Sequence, residues 1–156
     1  EPAYAAQARR RVAELGLSEH VDFVGEVPDD QVRAQLEASH VLCVPSWYEG
    51  FGMVYLEAME YGVVPIATTN GGASEFITDG EHGALVEPGD ADRITNLLAE
   101  WSSDRQRLAD LGVAALGRAA AHPRWDERCA GVRSLLVDIV AASTHVTAGP
   151  TDTTNL

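Results

Sequence analysis

The chain has 156 residues, of which 46% are hydrophobic and 22% charged, a composition typical of one globular domain with its own core rather than of a disordered segment. The formal net charge of −13 argues against a nucleic-acid partner, because proteins that bind a phosphate backbone present basic surfaces. No apolar run approaches the length of about 20 residues that a membrane-spanning helix needs.

In chain order, segments with helical periodicity alternate with short apolar runs. Runs bounded by turn residues predict strands at 21–24, 41–45, 63–68 and 83–87. The runs at 41–45 and 63–68 are almost continuously apolar, which is typical of strands covered on both faces. Apolar spacing predicts helices at 4–15, 31–39, 52–61, 74–78, 90–101 and 105–142, the last interrupted near His122. Asp29 or Asp30 is expected to cap the second of these helices, and Asp90 the fifth.

This alternation implies βαβ units, so the predicted fold class is α/β, with a Rossmann-like parallel sheet and helices on both faces. Ligands of such sheets bind at the carboxyl ends of the strands, where loops lead into helices. We expect the domain to extend over residues 1–142 and residues 143–156, rich in Thr, Gly and Pro, to form a flexible tail. Because the sequence begins at Glu1 without a methionine, we expect an N-terminally truncated fragment.

All 11 basic residues are arginine. An acidic surface without lysine favours a halophile, in whose salty cytoplasm self-repulsion is screened, although a GC-rich genome also replaces lysine by arginine. Cys43 and Cys129 lie in apolar contexts without CxxC spacing, so we expect buried, reduced thiols in a cytoplasmic protein. The histidines are scattered without the spacing of metal ligands, and no metal site is predicted.

The segment 46–58 is the most informative for chemistry, because it leaves a predicted strand, passes through two glycines and enters a helix. Gly50 and Gly52 allow backbone conformations closed to other residues and the close approach of a ligand. The backbone amides of Phe51, Gly52 and Met53 would be donors at a helix start, which suit phosphate oxygens.

Two carboxylates flank this turn. Glu49 lies in the loop, and Glu57 lies one to two turns into the helix. The neighbours of Glu57 along that helix are Met53, Val54 and Tyr61. That face is apolar, so the carboxylate needs a partner, and a ribose diol would offer it two hydroxyl donors. The alternative roles are structural: Glu49 near the helix dipole, and Glu57 paired with an arginine.

Glu49 and Glu57, with seven residues between them, resemble the E-x7-E signature of the large retaining glycosyltransferase family 4, which has the GT-B fold. The similarity continues in order on both sides and covers about residues 10 to 130. It includes a V-x-F-x-G strand, an "A-D-hydrophobic-P-S" strand, a "G-x-P-V" strand, a "GG-x-x-E" turn and the segment after it, at 21–25, 38–46, 62–67, 71–75 and 79–90.

The resemblance implies that the chain is the donor-binding half of a GT-B enzyme that transfers a sugar from a nucleoside diphosphate with retention of configuration. It implies that Glu49 is catalytic, contacting donor hydroxyls and stabilising charge near the anomeric carbon, and that Glu57 holds the ribose. Backbone in the glycine-containing turn would line the sugar and diphosphate, and backbone near the first predicted strand would border the base. These further substrate-binding residues are Gly50, Phe51, Gly52, Met53, Val54, Gly25 and Val27.

The resemblance also implies no cofactor beyond the nucleotide-sugar donor, which acts as substrate, and no metal. The family's phosphate-binding arginine and lysine would lie upstream of Glu1, and the acceptor would bind a missing N-terminal domain. We therefore expect weak donor binding, no transferase activity from this fragment alone, and peripheral membrane association only in the full-length enzyme. The donor base, the sugar and the acceptor stay open.

Other interpretations of the pattern remain. One is a different sugar-nucleotide enzyme of the same fold, such as a phosphorylase or an epimerase. Another is a non-catalytic sugar-nucleotide sensor or interaction module. A flavodoxin-like signalling receiver is disfavoured, because receivers need a lysine beside their phosphorylated aspartate and the chain has none.

Overall fold

The structure is a computed structural model and describes residues 2–123 and 125–146. Within this part, three strands form one sheet with the order β1-β2-β3. The strands are β1 (Val41–Cys43), β2 (Val64–Thr68) and β3 (Ala84–Val86). The helices are α1 (Pro2–Glu14), α2 (Asp29–Ala38), α3 (Met53–Met59), α4 (Ala91–Ser103), α5 (Arg105–Ala120) and α6 (Trp125–Val146), with a 3₁₀ helix at Gly72–Glu75.

Both strand pairs are parallel, as the sequence predicts. β2 lies in the centre. Its Val64 is in register with Val41, and its Ile66 is in register with Cys43 on one side and Ala84 on the other. Every residue of β2 is buried, which is typical of a central strand in a parallel sheet covered on both faces.

The two faces of the sheet carry separate apolar clusters, because successive side chains of a strand point to opposite faces. α4 covers the first face, α3 covers the second, and α5 contributes to both. The first cluster contains Val64, Ile66, Ala84, Val86, Leu97, Trp101, Leu108 and Leu111. The second contains Tyr55, Met59, Ala67, Ala73, Phe76, Ile77 and Ala115. The predicted α/β class, with helices on both faces of a parallel sheet, is confirmed.

α5 passes close to the turn that joins α3 to β2. Gly112 of α5 is buried, and a Cβ atom at this position would lie 2.7 Å from the carbonyl oxygen of Gly62. That distance is shorter than a carbon–oxygen contact allows, so the close approach of α5 depends on glycine. Gly117, one to two turns further along the same helix, has no atom within 4 Å of such a Cβ.

The two glycines of α5 therefore respond oppositely to alanine. Gly112→Ala forces α5 away from Gly62 and should lower the free energy of unfolding by about 1–3 kcal/mol. Gly117→Ala gains helix propensity without a clash and should raise it by about 0.5–1 kcal/mol. Urea unfolding followed by circular dichroism measures both. Equal effects of the two substitutions would contradict this packing of α5.

The predicted strand at 21–24 is wrong. These residues belong to no strand in the described part of the chain. An alternating pattern becomes a strand only where a neighbouring strand accepts and donates its backbone hydrogen bonds, and β1 forms no ladder with this segment. The segment instead contacts α1 through a side chain, because the guanidinium of Arg9 lies 5.0 Å from the centroid of the Phe23 ring.

The first strand of the sheet is also less covered than its apolar run predicts. Val41 and Leu42 are half-buried and Cys43 is exposed, because α1 and α2 contribute no residue to either apolar cluster. Cys43 and Cys129 are both free thiols, and both are exposed. The expected burial of the two cysteines is therefore wrong.

One of the two predicted helix caps is confirmed. The side chain of Asp90 accepts a hydrogen bond from the amide of Arg93 at 2.9 Å and begins α4. At α2 the capping prediction is wrong, because the N-cap is Pro28 and makes no side-chain cap bond. Asp29 and Asp30 lie inside the first turn instead, where their charges favour the helix dipole.

The last helix passes the predicted domain boundary. α6 continues to Val146, four residues into the segment expected to be a tail, and the rest of that segment, 147–156, lies outside the described residues. None of the helices in the described part is long and apolar enough to cross a bilayer.

Candidate functional site

The loops that follow the three strands meet at the carboxyl edge of the sheet, where ligands of parallel sheets bind. The loop from β1 to α3 contains the segment 49–53, here called the glycine turn. It leads into α3, and the loop after β2 lies beside it.

Backbone hydrogen bonds fasten the glycine turn to the loop after β2. The amide of Glu49 donates to the carbonyl oxygen of Asn70 at 3.2 Å. The amide of Gly72 donates to the carbonyl oxygens of Glu49 at 3.3 Å and Gly50 at 3.1 Å. Glu49 and Gly71 thereby form an isolated parallel bridge. We call this set of bonds the backbone bridge.

The backbone bridge requires glycine on its β2 side. A Cβ atom on Gly71 would lie 2.0 Å from the carbonyl oxygen of Glu49, and the φ angle of Gly71 is 143°. A Cβ atom on Gly72 would lie 2.5 Å from the carbonyl oxygen of Gly50. The bridge therefore forms only because Gly71 and Gly72 have no side chain between their backbone and that of the glycine turn.

The side chains of Thr68, the last residue of β2, and Asn70, in the loop after it, add bonds to the loop that precedes Glu49. Thr68 donates from its hydroxyl to the carbonyl oxygen of Ser46 at 2.8 Å. Asn70 donates from its amide to the carbonyl oxygen of Trp47 at 2.6 Å. Neither role was predicted from the sequence. The available signal was polar residues at the end of a buried strand, at the edge where the site was expected.

The predicted glycine conformation is confirmed at Gly52 but not at Gly50, which has no positive φ angle and has no atom within 4 Å of a Cβ atom built on it. Gly52 is the N-cap of α3 and adopts a left-handed conformation with φ 83° and ψ 42°. A Cβ atom there would lie 2.6 Å from Cδ2 of Tyr55, so both strain and space require glycine. α3 itself has only 7 residues, so any attraction for phosphate rests more on individual amides than on a long helix dipole.

Aromatic packing fixes the side chain in the middle of the turn. The centroid of the Phe51 ring lies 5.4 Å from that of Phe76 and 6.0 Å from that of His122. Phe76 is buried in the second apolar cluster. The turn is therefore attached to the core through a side chain as well as through the backbone bridge, which the sequence pattern did not indicate.

Glu49 is half-buried and acts electrostatically on the core of the site. The hydroxyl of Tyr55 donates to the carbonyl oxygen of Val44 at 2.7 Å. Burial, followed by the negative charges of Glu49 and Cys43, raises the pKa of Tyr55 above its ordinary value. The Glu49 carboxylate is thus close enough to this hydroxyl to oppose its ionisation.

The free energy of unfolding at high pH should report the interaction between Glu49 and the Tyr55 hydroxyl. Because folding raises the pKa of Tyr55, the contribution of the neutral hydroxyl is complete below the ordinary tyrosine pKa of about 10 and is lost as the pH rises towards the raised value. Tyr55→Phe removes the hydrogen bond to Val44 and should cost about 1–3 kcal/mol at pH 8. Urea unfolding at several pH values between 8 and 11 should show a smaller further loss in this variant than in the wild type. Parallel pH profiles would contradict the assignment.

Glu57 is exposed on the solvent side of α3, so the inference that its apolar helical neighbours leave the carboxylate in need of a partner is wrong. Met53, one turn before it, is 63% exposed, because α3 turns Tyr55 and Met59 to the core instead. Among the described residues Glu57 forms no ion pair, and the alternative of an arginine partner finds no support there.

A groove of about 930 Å³ runs between α3 and the C-terminal part of α5, and Glu57 lines it. Glu49 does not line it, so the structure places the two glutamates on one continuous segment but not in one cavity. The residues that line the groove are Phe51, Met53, Leu56, Glu57, Glu60, Leu116, Ala119, Ala120, His122 and Pro123.

The predicted base-binding residues lie apart from this arrangement. Gly25 is exposed with a φ angle of 70°, and Val27 is half-buried just before α2. Within residues 2–123 and 125–146, no hydrogen bond joins either residue to the glycine turn. The structure therefore brings Gly50, Phe51 and Gly52 together with Glu49, but not the two residues from the first loop.

The parallel sheet with helices on both faces, and the glycine turn at its carboxyl edge, define a Rossmann-like α/β domain. Residues 1–117 match the family model described as glycosyl transferases group 1. The chain belongs to this family.

Relatives of known description support the same assignment. The GDP-mannose-dependent alpha-(1-6)-phosphatidylinositol monomannoside mannosyltransferase of Mycolicibacterium smegmatis is 35% identical over 137 residues, which are 83% of this chain and 35% of that protein. The lipopolysaccharide core biosynthesis mannosyltransferase LpsB of Rhizobium meliloti is 34% identical over 76% of this chain and 34% of its own length. The chain thus spans about a third of the length of the relatives it matches.

Solved structures agree on the fold. Sucrose-phosphate synthase from Thermosynechococcus elongatus superposes with a TM-score of 0.78 at 31% identity, over 90% of this chain and 35% of that one. Anabaena HepE in complex with UDP-glucose superposes with a TM-score of 0.69 at 28% identity, over 77% of this chain and 33% of that one.

Proposed function

We propose that this chain is the donor-binding domain of a retaining glycosyltransferase of family 4, which, within a longer protein, transfers a hexosyl group from a nucleoside-diphosphate sugar. The observation that carries the proposal is the backbone bridge, which holds Glu49 and a two-glycine turn at the carboxyl edge of the sheet. The resemblance of this segment to the E-x7-E signature supplies the roles of its residues.

Glu49 is the proposed catalytic residue. Its backbone is hydrogen-bonded through both its amide and its carbonyl group, so the start of its side chain is fixed before any ligand binds. A preorganised carboxylate stabilises positive charge that develops at an anomeric carbon without the cost of reorganisation. The same carboxylate would accept hydrogen bonds from donor hydroxyls.

Glu57 is the proposed ribose ligand. An exposed carboxylate with no ion pair in the described part of the chain is available to accept two hydrogen bonds from a ribose diol. It follows the glycine turn on α3, so a nucleotide whose diphosphate lies on the amides of Phe51 to Val54 would extend its ribose along this helix. Gly25 and Val27 would then border the base after a movement of the loop before α2.

The donor is proposed to be GDP-mannose. Several relatives, from Mycolicibacterium smegmatis and from Corynebacterium glutamicum among others, carry GDP-mannose in their descriptions. The chain has no lysine, and among the described residues no arginine is hydrogen-bonded or ion-paired to the glycine turn. The diphosphate would therefore lack a strong cationic clamp here, so donor binding to this chain alone should be weak and transfer absent. The acceptor would bind elsewhere in the longer protein. Such an enzyme would be cytoplasmic and could associate with the membrane surface, since relatives act on phosphatidylinositol mannosides by their descriptions.

Donor binding tests the proposal with a matched pair of variants. In saturation-transfer NMR at high salt, GDP-mannose should show ribose and mannose signals with the wild type. Glu57→Ala should weaken binding about tenfold to a hundredfold, because a charged hydrogen bond is worth about 1.5–3 kcal/mol. Glu60→Ala, which removes an exposed glutamate of the same groove, should leave binding unchanged.

A donor panel separates the alternatives. UDP-glucose and ADP-glucose, measured beside GDP-mannose, identify the preferred base. Equal binding by the wild type and Glu57→Ala, or an equal loss in both glutamate variants, would overturn the assignment of Glu57. No binding of any nucleotide sugar, either to this chain or to the same chain extended upstream, would overturn the proposed function.

A further inference from the structure

We propose that Trp47, which lies next to the exposed Tyr48, forms a stacking platform for a hexopyranose ring beside Glu49. The platform would select a neutral sugar by the face of its ring. This inference rests on the proposed function, and it adds a sugar-binding subsite that the E-x7-E resemblance does not supply.

The two aromatic side chains are exposed at the edge where the site lies. Trp47 is 77% exposed and Tyr48 is 74% exposed, and they directly precede Glu49 in the loop after β1. Neither belongs to an apolar cluster of the fold. Burying large aromatic side chains is favourable, so two adjacent aromatics left in water at a binding edge indicate a ligand surface.

The backbone under the platform is fixed, although its side chains are exposed. The carbonyl oxygen of Trp47 accepts from the side-chain amide of Asn70 at 2.6 Å, and that of Ser46 accepts from the hydroxyl of Thr68 at 2.8 Å. The backbone bridge holds Glu49 on the other side. A ligand therefore meets aromatic rings on an ordered loop and avoids much of the entropy cost of ordering it.

One edge of the Trp47 ring lies beside Gly89. A Cβ atom on Gly89, in the turn before α4, would lie 3.4 Å from Cη2 and 3.8 Å from Cζ2 of Trp47. These are ordinary van der Waals distances, so one edge of the ring lies beside this turn, and the ring remains largely open to solvent. A ring that is held at its edge and open on its surface offers a flat stacking area.

The charges around the platform favour a neutral polyhydroxylated ligand. Glu49 follows the aromatic pair, and Glu87, two residues before Gly89, accepts a hydrogen bond from Thr69 at 3.0 Å. Carboxylates repel phosphate but accept hydrogen bonds from hydroxyls. The C–H groups on one face of a pyranose ring carry slight positive charge and suit the negative face of an aromatic ring. A hexopyranose combines both properties, whether it is the sugar of the donor or that of the acceptor.

Ligand titrations of this chain test the platform. The probes are methyl α-D-mannopyranoside, D-mannitol, which has hydroxyls but no ring, GDP and GDP-mannose, each followed by saturation-transfer NMR. The wild type should bind the mannoside weakly and mannitol not at all. Trp47→Ala should weaken mannoside binding about fivefold or more, and Trp47→Phe should retain it within about twofold. These ranges are what the loss or retention of one aromatic stacking contact predicts.

Two controls keep the result specific. Tyr4→Ala removes another exposed aromatic side chain, 72% exposed on α1, and should change neither mannoside binding nor unfolding. Trp47→Ala should unfold at the wild-type urea concentration, because its side chain supports no apolar cluster. GDP binding should be the same in the wild type and Trp47→Ala.

The probes separate the two sources of the sugar and the two proposals. A loss in Trp47→Ala for both GDP-mannose and the mannoside places the donor sugar on the platform, and a loss for the mannoside alone places the acceptor sugar there. Unchanged sugar binding in Trp47→Ala, binding of mannitol equal to that of the mannoside, or no mannoside binding by the wild type overturns the platform. A loss of GDP binding in this variant also overturns it, since the ring would then support the nucleotide. Donor binding that depends on Glu57 but not on Trp47 would leave the proposed function standing.

Discussion

The site depends on one contact between two stretches of backbone, the parallel bridge that joins Glu49 to Gly71 after the strands themselves have ended. It extends the β1–β2 pairing into the loops and fixes the glutamate relative to the central strand. Because a Cβ atom on Gly71 or Gly72 would lie 2.0 or 2.5 Å from a facing carbonyl oxygen, much closer than van der Waals contact, no other residue allows this approach. The glycines of the loop after β2 are thus part of the site without contacting a ligand.

Other interactions act on the same loop and make it rigid. The hydroxyl of Tyr55 and the side chains of Thr68 and Asn70 all donate to carbonyl oxygens of the loop before the turn. Phe51 then packs on the second apolar cluster through Phe76. Tyr55 belongs to α3, Thr68 ends β2, Asn70 follows it, and Phe76 lies in the core, so the folded domain and the ordered turn are one structure. Preorganisation of this kind is what electrostatic catalysis and sugar binding both need.

The sequence predicts the part of the fold that is local or densely buried. Strong apolar runs gave β2 and β3 nearly to the residue, and Asp90 marked the start of α4, because each depends on neighbours close in the chain or on a fully covered strand. The segment 21–24 carries an equally good alternating pattern but forms no strand, because strand formation depends on a partner that the pattern does not contain.

Some features of the site can be predicted from the sequence and others cannot, for the same physical reasons. The glycine turn and its glutamates are readable from spacing and from the family signature. The exposure of Glu57 is not, because it depends on how α3 is rotated by Tyr55 and Met59 in the core. The contact of Phe51 with His122 spans residues far apart in the chain, and no local pattern indicates it.

The glycine turn, held by the backbone bridge, is the proposed donor-binding element of this chain. A titration with GDP-mannose, followed by amide chemical shifts in ¹⁵N–¹H correlation spectra, tests this role. The largest shift changes should fall on residues 49–54 and on Gly71 and Gly72, while the amide shifts of α4 stay unchanged. Saturable shifts confined to α4 or α6, with the glycine turn unmoved, would contradict it.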